Sequence, residues 1–349
     1  MKKFAMLLAI VLMLGMLSGC AGTVVVVGNC TCPPGGHTNV TPTNPPAEGA
    51  LKTGLAIVAN IGGSETGVAD YDVTLAAVLV DDAGVIRDCV IDSIGTTVEF
   101  GANGVITTDL TAAVQTKNEL GDAYGMVAWG GAVAEWYQQA DALAQFAIGK
   151  TVEELKNGAI DASGKAPAGS DLASSATIRL DGYVHAIEAA VANTTHLGAM
   201  AGDELILAAM PSLGSSVSAT AEKDGTAQLD CDVVALSVKN GVITSCYIDS
   251  LQAKVAFGTD GAIKTELTAP VQTKNQLGEK YGMVAWGGAT AEWNQQAASF
   301  SAYVTGKTAA EVAGIAVNEA TKPTDADLAT SVTIAIGGFQ ALIAKALAQ

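Results

Sequence analysis

The chain is poor in basic side chains. Its 349 residues include 18 lysines and arginines against 35 aspartates and glutamates, which gives a formal net charge of −17 at pH 7. A surface of that sign repels phosphate backbones, so nucleic acid is excluded as an expected partner. Charged residues are also scarce at 15%, whereas 49% of residues are hydrophobic, so there is ample material for packed cores. The length alone predicts two domains.

Histidines and cysteines are also few. The only histidines are His37, His185 and His196, and their spacing does not match a metal site, so each is expected to be a solvated side chain. Five of the six cysteines remain after Cys20, so at least one of them lacks an intrachain partner. Cys89 and Cys246 are expected to be small buried residues within strands. No metal site is predicted.

A phosphate-binding loop is also missing. The two Gly-Lys-Thr triplets, 149–151 and 306–308, would each need a further glycine five residues earlier, where Ala144 and Ser301 stand. Each triplet instead predicts a helix that ends at its glycine. The threonine then begins a new helix with a capping box that pairs it with the glutamate three residues later.

The N-terminus has the features of an export signal. A basic start at residues 1–3 is followed by an uncharged apolar run over 4–17, and Leu17–Cys20 resembles the lipobox of bacterial lipoproteins. We therefore expect a lipoprotein signal peptide over residues 1–19 and a lipidated Cys20 on the outer face of the cytoplasmic membrane. The alternative is an ordinary cleaved signal with a chance cysteine.

Residues 20–50 are predicted to be a tether. This segment is rich in proline and threonine, including Pro33-Pro34-Gly35-Gly36, which holds neither a helix nor a sheet ladder. Fully extended, some 30 residues reach at most about 100 Å. No later stretch is long and apolar enough to span a bilayer.

The remainder is a duplication. Gln115–Ala140 recurs as Gln272–Ala297 at an offset of 157, and only five of the 26 positions differ, which leaves 21 identical. We predict two tandem domains, over 51–197 and 198–349.

Each copy is expected to be α+β, with an antiparallel sheet packed by helices. Val73–Val80 and Val85–Ile91 are rich in β-branched residues and predict a hairpin, whose turn in the second copy contains Asn240-Gly241. Helices are predicted where apolar residues recur on one face: Trp136, Ala140, Leu143 and Ala147; then Val184, Ile187 and Val191; and in the second copy Phe339, Ile343 and Leu347.

A threonine motif precedes the final helix of each copy. Small residues surround a hydroxyl there, which leaves room for a bulky group, and a helix entrance favours a phosphate. The alternative is a hydroxyl helix cap without a ligand. The candidate residues are Asp171, Ser174, Ser175, Ala176 and Thr177 in the first copy, and Asp327, Thr330, Ser331, Val332 and Thr333 in the second.

This motif resembles that of the FMN-binding domain family, which includes the C subunit of the sodium-pumping NADH:quinone reductase. There a flavin transferase modifies the last residue of Asp-x-x-Ser/Thr-Gly-Ala-Thr. The resemblance implies two FMN groups, joined through phosphoesters to Thr177 and Thr333. Ser175 and Ser331 stand in place of the family's glycine, and Val332 in place of its alanine.

A second, looser likeness is to the family's Glu-Thr-Pro-Gly-Leu-Gly segment, here without Pro-Gly. The similar residues are Thr116, Leu120 and Gly121, and in the second copy Thr273, Leu277 and Gly278. We expect Trp129 and Trp286, which lie just beyond these segments, in the core; the alternative is that they stack on a flat ligand.

The tandem lipoprotein arrangement resembles the flavinylated surface lipoproteins of Gram-positive extracellular electron transfer. The resemblance implies an electron carrier rather than a conventional enzyme, with ferric or mediator reductase activity left open. Its expected partners are a flavin transferase, a membrane quinol or dehydrogenase as donor, and ferric iron or a soluble mediator as acceptor. The alternatives are a cofactor-free surface binding or adhesion module, and a pheromone precursor through the signal peptide.

Overall fold

The computed structural model describes residues 49–349. The predicted signal peptide, Cys20 and all but the last two residues of the tether therefore lie outside the described residues. Among the helices of 49–349, none is long and apolar enough to cross a membrane.

The α+β class is confirmed, and each copy begins with a three-stranded antiparallel sheet whose middle strand is its second. The strands of the first copy are β1 (Lys52–Asn60), β2 (Val68–Val80) and β3 (Ile86–Glu99). Those of the second are β4 (Glu204–Ser212), β5 (Gly225–Lys239) and β6 (Val242–Phe257). The predicted hairpin is the β2–β3 pair, and both of its strands are longer than the sequence pattern indicated.

The hairpin turns form through different local chemistry in the two copies. In the second, Asn240 and Gly241 both adopt positive φ angles, 52° and 76°, as an Asn-Gly turn requires. In the first, the Asp81 carboxylate accepts hydrogen bonds from the Ala83 and Val85 amides, at 2.9 and 3.0 Å. Either device brings the two strands into register.

The helices follow the strands within each copy. The first copy has α1 (Lys117–Leu120), α2 (Trp136–Ala147), α3 (Val152–Ala159), α4 (Asp171–Ser175) and α5 (Asp181–Ala192). The second has α6 (Lys274–Leu277), α7 (Trp293–Val304), α8 (Ala309–Ala313), α9 (Ala326–Ala329) and α10 (Gly337–Ala346). The apolar face predicted for α2 is buried. The capping boxes at Thr151 and Thr308 are confirmed.

The apolar residues form three clusters, which define four layers. Inward residues of both sheets, such as Leu75 and Val233, share one central cluster. The opposite face of the first sheet, including Val78, packs against α2 and α5. The opposite face of the second sheet, including Leu236, packs against α7 and α10. The order is therefore helices, sheet, sheet, helices, because successive residues of a strand point to opposite faces.

Equivalent residues of the two copies meet where the sheets join. Phe100 and Phe257, which are 157 residues apart, stack with ring centroids 3.8 Å apart and planes 10° apart. The turn containing Gly104 lies against the equivalent turn of the second copy, and a Cβ at Gly104 would lie 2.9 Å from the Thr259 Cα. Contacts between like residues are those of an isologous interface, so an approximate two-fold axis relates the copies.

Candidate functional site

The threonine motif forms its own short helix. Asp171–Ser175 is α4, capped by the Ser170 hydroxyl, and Thr177 lies just beyond its C-terminal end. The hydroxyl is therefore four residues ahead of α5, and is not at the entrance of that final helix. The amides of Leu180, which precedes α5, and of Asp181, its first residue, donate to the Gly164 carbonyl at 2.7 and 3.3 Å.

A buried glutamine holds Thr177 in place. The Gln139 side-chain oxygen accepts from the Thr177 amide at 2.8 Å, from its hydroxyl at 3.2 Å and from the Ile178 amide at 3.2 Å. The Gln139 side-chain nitrogen donates to the Ala134 carbonyl at 2.8 Å. Gln139 is fully buried on α2, where hydrogen bonds are electrostatically stronger than in water.

The second copy repeats this geometry. Gln296 accepts from the Thr333 amide at 2.8 Å, from its hydroxyl at 3.1 Å and from the Ile334 amide at 3.2 Å, and it donates to the Ala291 carbonyl at 2.8 Å. Sequence reasoning missed both glutamines. The available signal was their place within the duplicated stretch, immediately before an alanine of the apolar helix face.

The threonines are exposed while the residues before them are buried. Thr177 and Thr333 face solvent, whereas Ala176 and Val332 are 1% and 0% exposed. Val332 packs into the outer cluster of the second copy, so the larger side chain at this position fills core volume. The other motif residues are mostly exposed, and the hydroxyls of Ser174 and Thr330 donate to carbonyls of their own helical turn.

The second motif also forms a short helix in each copy. Thr116 caps α1 in a capping box with Glu119, and Gly121 ends it at a φ of 51°. Thr273 and Gly278 occupy the same positions at α6. Both α1 and α4 pack against α2, so the two motifs of a copy contact the same helix.

A buried carboxyl fastens this motif to the sheet. Asp92 in β3 accepts from the Ser93 amide at 2.7 Å and from the Asn118 amide at 3.1 Å. Its burial raises the pKa to about 6, although the Thr116 hydroxyl and these amides lower it. Asp249 is held and shifted in the same way, with a pKa of about 6.

A lysine of each motif is enclosed by aromatic rings. The Lys117 ammonium lies 5.3 Å from the ring centres of both Tyr124 and Trp136. Lys274 lies 5.4 Å from Tyr281 and 4.8 Å from Trp293 in the second copy. These distances are those of cation–π contacts, which fix a positive charge beside α2 and α7.

The expectation that Trp129 and Trp286 lie in the core is wrong. They are 89% and 84% exposed, and the buried tryptophans are Trp136 and Trp293. Trp129 is carried on a glycine-rich turn, where its ring edge occupies the space above Gly125 that a Cβ would fill. The local backbone thus directs the Trp129 side chain toward solvent, although an indole is largely apolar.

A buried glutamate anchors each tryptophan turn. Glu135, which is 5% exposed, accepts from the Met126 and Val127 amides at 2.8 and 2.9 Å. Glu292 accepts from the equivalent amides of the second copy at 2.9 and 3.0 Å. Since Ala134, one residue before Glu135, also binds Gln139, the tryptophan turn and the threonine segment are fastened at the same end of α2.

No protein-family model, curated protein or solved structure matches this chain. Within residues 49–349, no group of three or more histidines, cysteines, aspartates or glutamates is placed to hold a metal ion. The candidate functional features are the two threonine segments, the exposed tryptophans and the buried side chains that hold them.

Proposed function

We propose that the chain is a membrane-anchored extracellular electron carrier that bears two FMN groups, joined through phosphoesters to Thr177 and Thr333. The observation that best supports this proposal is the repeated support of an exposed threonine by a buried glutamine. In both copies the glutamine side-chain oxygen accepts hydrogen bonds from the threonine amide, from the threonine hydroxyl and from the next amide along the chain.

The threonine segments fit such a modification. An ester at the Thr177 hydroxyl would remove its hydrogen bond to Gln139. The amides of Thr177 and Ile178 would continue to donate to the same oxygen, so Gln139 would not be left unsatisfied. Because Thr177 is exposed, a transferase has access to it without local unfolding.

The tryptophan turns offer a surface for a flat ring. Trp129 is 89% exposed and is accompanied by Val127 and Val133, which are 46% and 69% exposed. In the second copy Trp286 and Val284 are 84% and 46% exposed. An indole face stacks favourably on another aromatic ring, so these residues would hold the isoalloxazine.

When bound, FMN supplies reversible electron transfer, while the protein places it and tunes its potential. The chain's own residues would keep the group outside the cell: Cys20 by the lipid anchor, and Thr177 and Thr333 by covalent attachment. The proposed partners are a flavin transferase, a membrane quinol or dehydrogenase as electron donor, and ferric iron or a soluble mediator as acceptor.

The exposed tryptophans also support a second candidate, a cofactor-free surface binding or adhesion module. Two large indoles on equivalent turns form apolar contact points that a protein or glycan ligand would cover. The proposed pheromone role concerns residues 1–19, outside the described part of the chain.

Intact mass spectrometry of denatured protein, produced together with a flavin transferase, separates these candidates. The wild type should carry two FMN additions, Thr177→Val and Thr333→Val one each, and the double variant none. Valine removes the hydroxyl but keeps the amide that binds Gln139. The matched control Ser163→Ala removes an exposed hydroxyl outside the motif and should retain two additions.

Two additions in either single variant would mean that the attachment residues are misassigned. If the wild type carries none while the same transferase modifies a known substrate, the electron-carrier proposal fails and the binding module is favoured.

A further inference from the structure

The second copy contains a cavity that the threonine sites do not use. It measures 590 Å³ and lies between α7, the start of β6 and the connection between the copies. Its walls include Ile248 and Ala298, with Leu197 from the connection. A volume of roughly 300 to 1,000 Å³ is typical of small-molecule sites.

Two polar groups in this cavity lack the partners that burial normally demands. The Ser301 side chain is 5% exposed, and its hydroxyl has no hydrogen-bond partner within residues 49–349. It lies beside the Cys246 thiol, a weak partner at best. The side-chain oxygen of Asn294 is also buried and unpaired within the described residues. Seven residues apart, the two groups lie on the same face of α7.

The first copy provides a natural comparison, because its equivalent positions carry different residues. Tyr137 stands where the second copy has Asn294, and Ala144 where it has Ser301. The Tyr137 hydroxyl donates to Asp122 at 3.2 Å, so its polar group is satisfied. The unpaired oxygens are therefore specific to the second copy. An unsatisfied buried polar group destabilises the folded state, so a fold that keeps two of them needs a reason to do so.

The chemistry of the lining restricts the ligand. In a chain with a net charge of −17, this cavity contains no aspartate, glutamate, lysine or arginine. Burial raises the pKa of the Cys246 thiol to about 12, so the sulfur is neutral. His196 lies at the rim, and its ring nitrogen pairs with Asp82 at 3.1 Å. A charged ligand would have no counter-charge to meet.

We propose that this cavity binds a small, flat, uncharged molecule with a hydrogen-bond donor next to an acceptor, as on the edge of a lactam ring. The Asn294 amide has the matching donor and acceptor side by side, and the Ser301 hydroxyl provides a third contact. Leu197, Ile248 and Ala302 provide apolar contacts, and Asn275 and Thr305 add polar side chains to the lining. The proposal is independent of flavin attachment, since it concerns other residues.

Lumichrome, a neutral tricycle with a lactam edge and no phosphate, is a suitable probe. The experiment uses protein produced without a flavin transferase, and follows lumichrome fluorescence during titration. Wild type should bind one molecule per chain. Asn294→Tyr and Ser301→Ala introduce the residues of the first copy, which its fold already accepts, and each should weaken binding about tenfold or more.

Ser299→Ala is the matched control. It lies on the same helix but outside the cavity, and its hydroxyl donates to the Gln295 carbonyl. Its affinity for lumichrome should equal that of wild type. Absence of saturable binding, equal affinity in a folded Asn294→Tyr/Ser301→Ala double variant, or two molecules bound per chain would each overturn the proposal. The mass additions measured on protein produced with the flavin transferase test the proposed function separately, so either proposal can fail without the other.

Discussion

The two carboxyls beneath the second motif should make the stability of the protein depend on pH in an unusual direction. Asp92 and Asp249 are 5% and 7% exposed, and each accepts two backbone amides. Asparagine at either position keeps a side-chain oxygen for the amides and places an NH₂ group toward the threonine hydroxyl. Asp92→Asn and Asp249→Asn therefore remove the ionisation with little change in shape.

The magnitude follows from the pKa. Burial raises the pKa of Asp92 from 3.8 to about 6, so the folded state binds the proton at a higher pH than the unfolded state. A difference of about two pH units corresponds to about 3 kcal/mol. This stabilising contribution is fully present below pH 3.8 and is lost as the pH rises through 6. Asp92→Asn lacks it at every pH.

The measurement is urea denaturation of wild type and variant between pH 4 and 8, followed by tryptophan fluorescence. The free energy of unfolding of wild type minus that of Asp92→Asn should fall by about 2.5 kcal/mol between pH 4 and pH 8. Asp109→Asn is a control of opposite sign, because hydrogen bonds from Thr111 lower the pKa of that exposed carboxyl. A difference for Asp92→Asn that stays constant with pH would refute the reasoning.

Two further outcomes are expected at the interface and at the tryptophan turn. Phe100→Ala or Phe257→Ala should lower the free energy of unfolding by about 3–5 kcal/mol, because the stacked pair joins the two copies; a loss below about 1 kcal/mol would contradict this. Glu135→Gln should accelerate amide exchange over residues 125–132, since glutamine replaces a charged acceptor of two amides. Glu292→Gln should accelerate amide exchange only in the tryptophan turn of the second copy. If either variant accelerated exchange equally in both turns, the anchoring would not be local.

The local elements were predictable because their signals are local. Asn240-Gly241 requires only the backbone preferences of two residues, and the capping boxes at Thr151 and Thr308 require four. The four-layer order was not predicted. Leu75 and Val78 are both apolar, so the strand pattern does not reveal which face meets the other sheet and which meets helices.

The supports of the candidate site depend on longer-range contacts. The hydrogen bond from Thr177 to Gln139 joins residues 38 apart, and a glutamine in a helix is ordinarily expected at the surface. The exposure of Trp129 was missed for the opposite reason. Indoles are mostly buried, and only the buried Glu135 together with Gly125 directs this one outward.

The duplication divides the molecule into parts that stayed alike and parts that changed. The stacked pair at the two-fold contact is identical in both copies, as are the glutamine that holds the threonine and the glutamate that holds the tryptophan turn. Tyr137 and Asn294 differ, as do Ala144 and Ser301; of these four residues, Asn294 and Ser301 line the cavity of the second copy. The fold therefore keeps two equivalent threonine segments, while the second copy carries the unpaired polar groups of Asn294 and Ser301. Under the proposed function, the two equivalent threonines would attach the two FMN groups, and the cavity of the second copy would bind a separate small molecule.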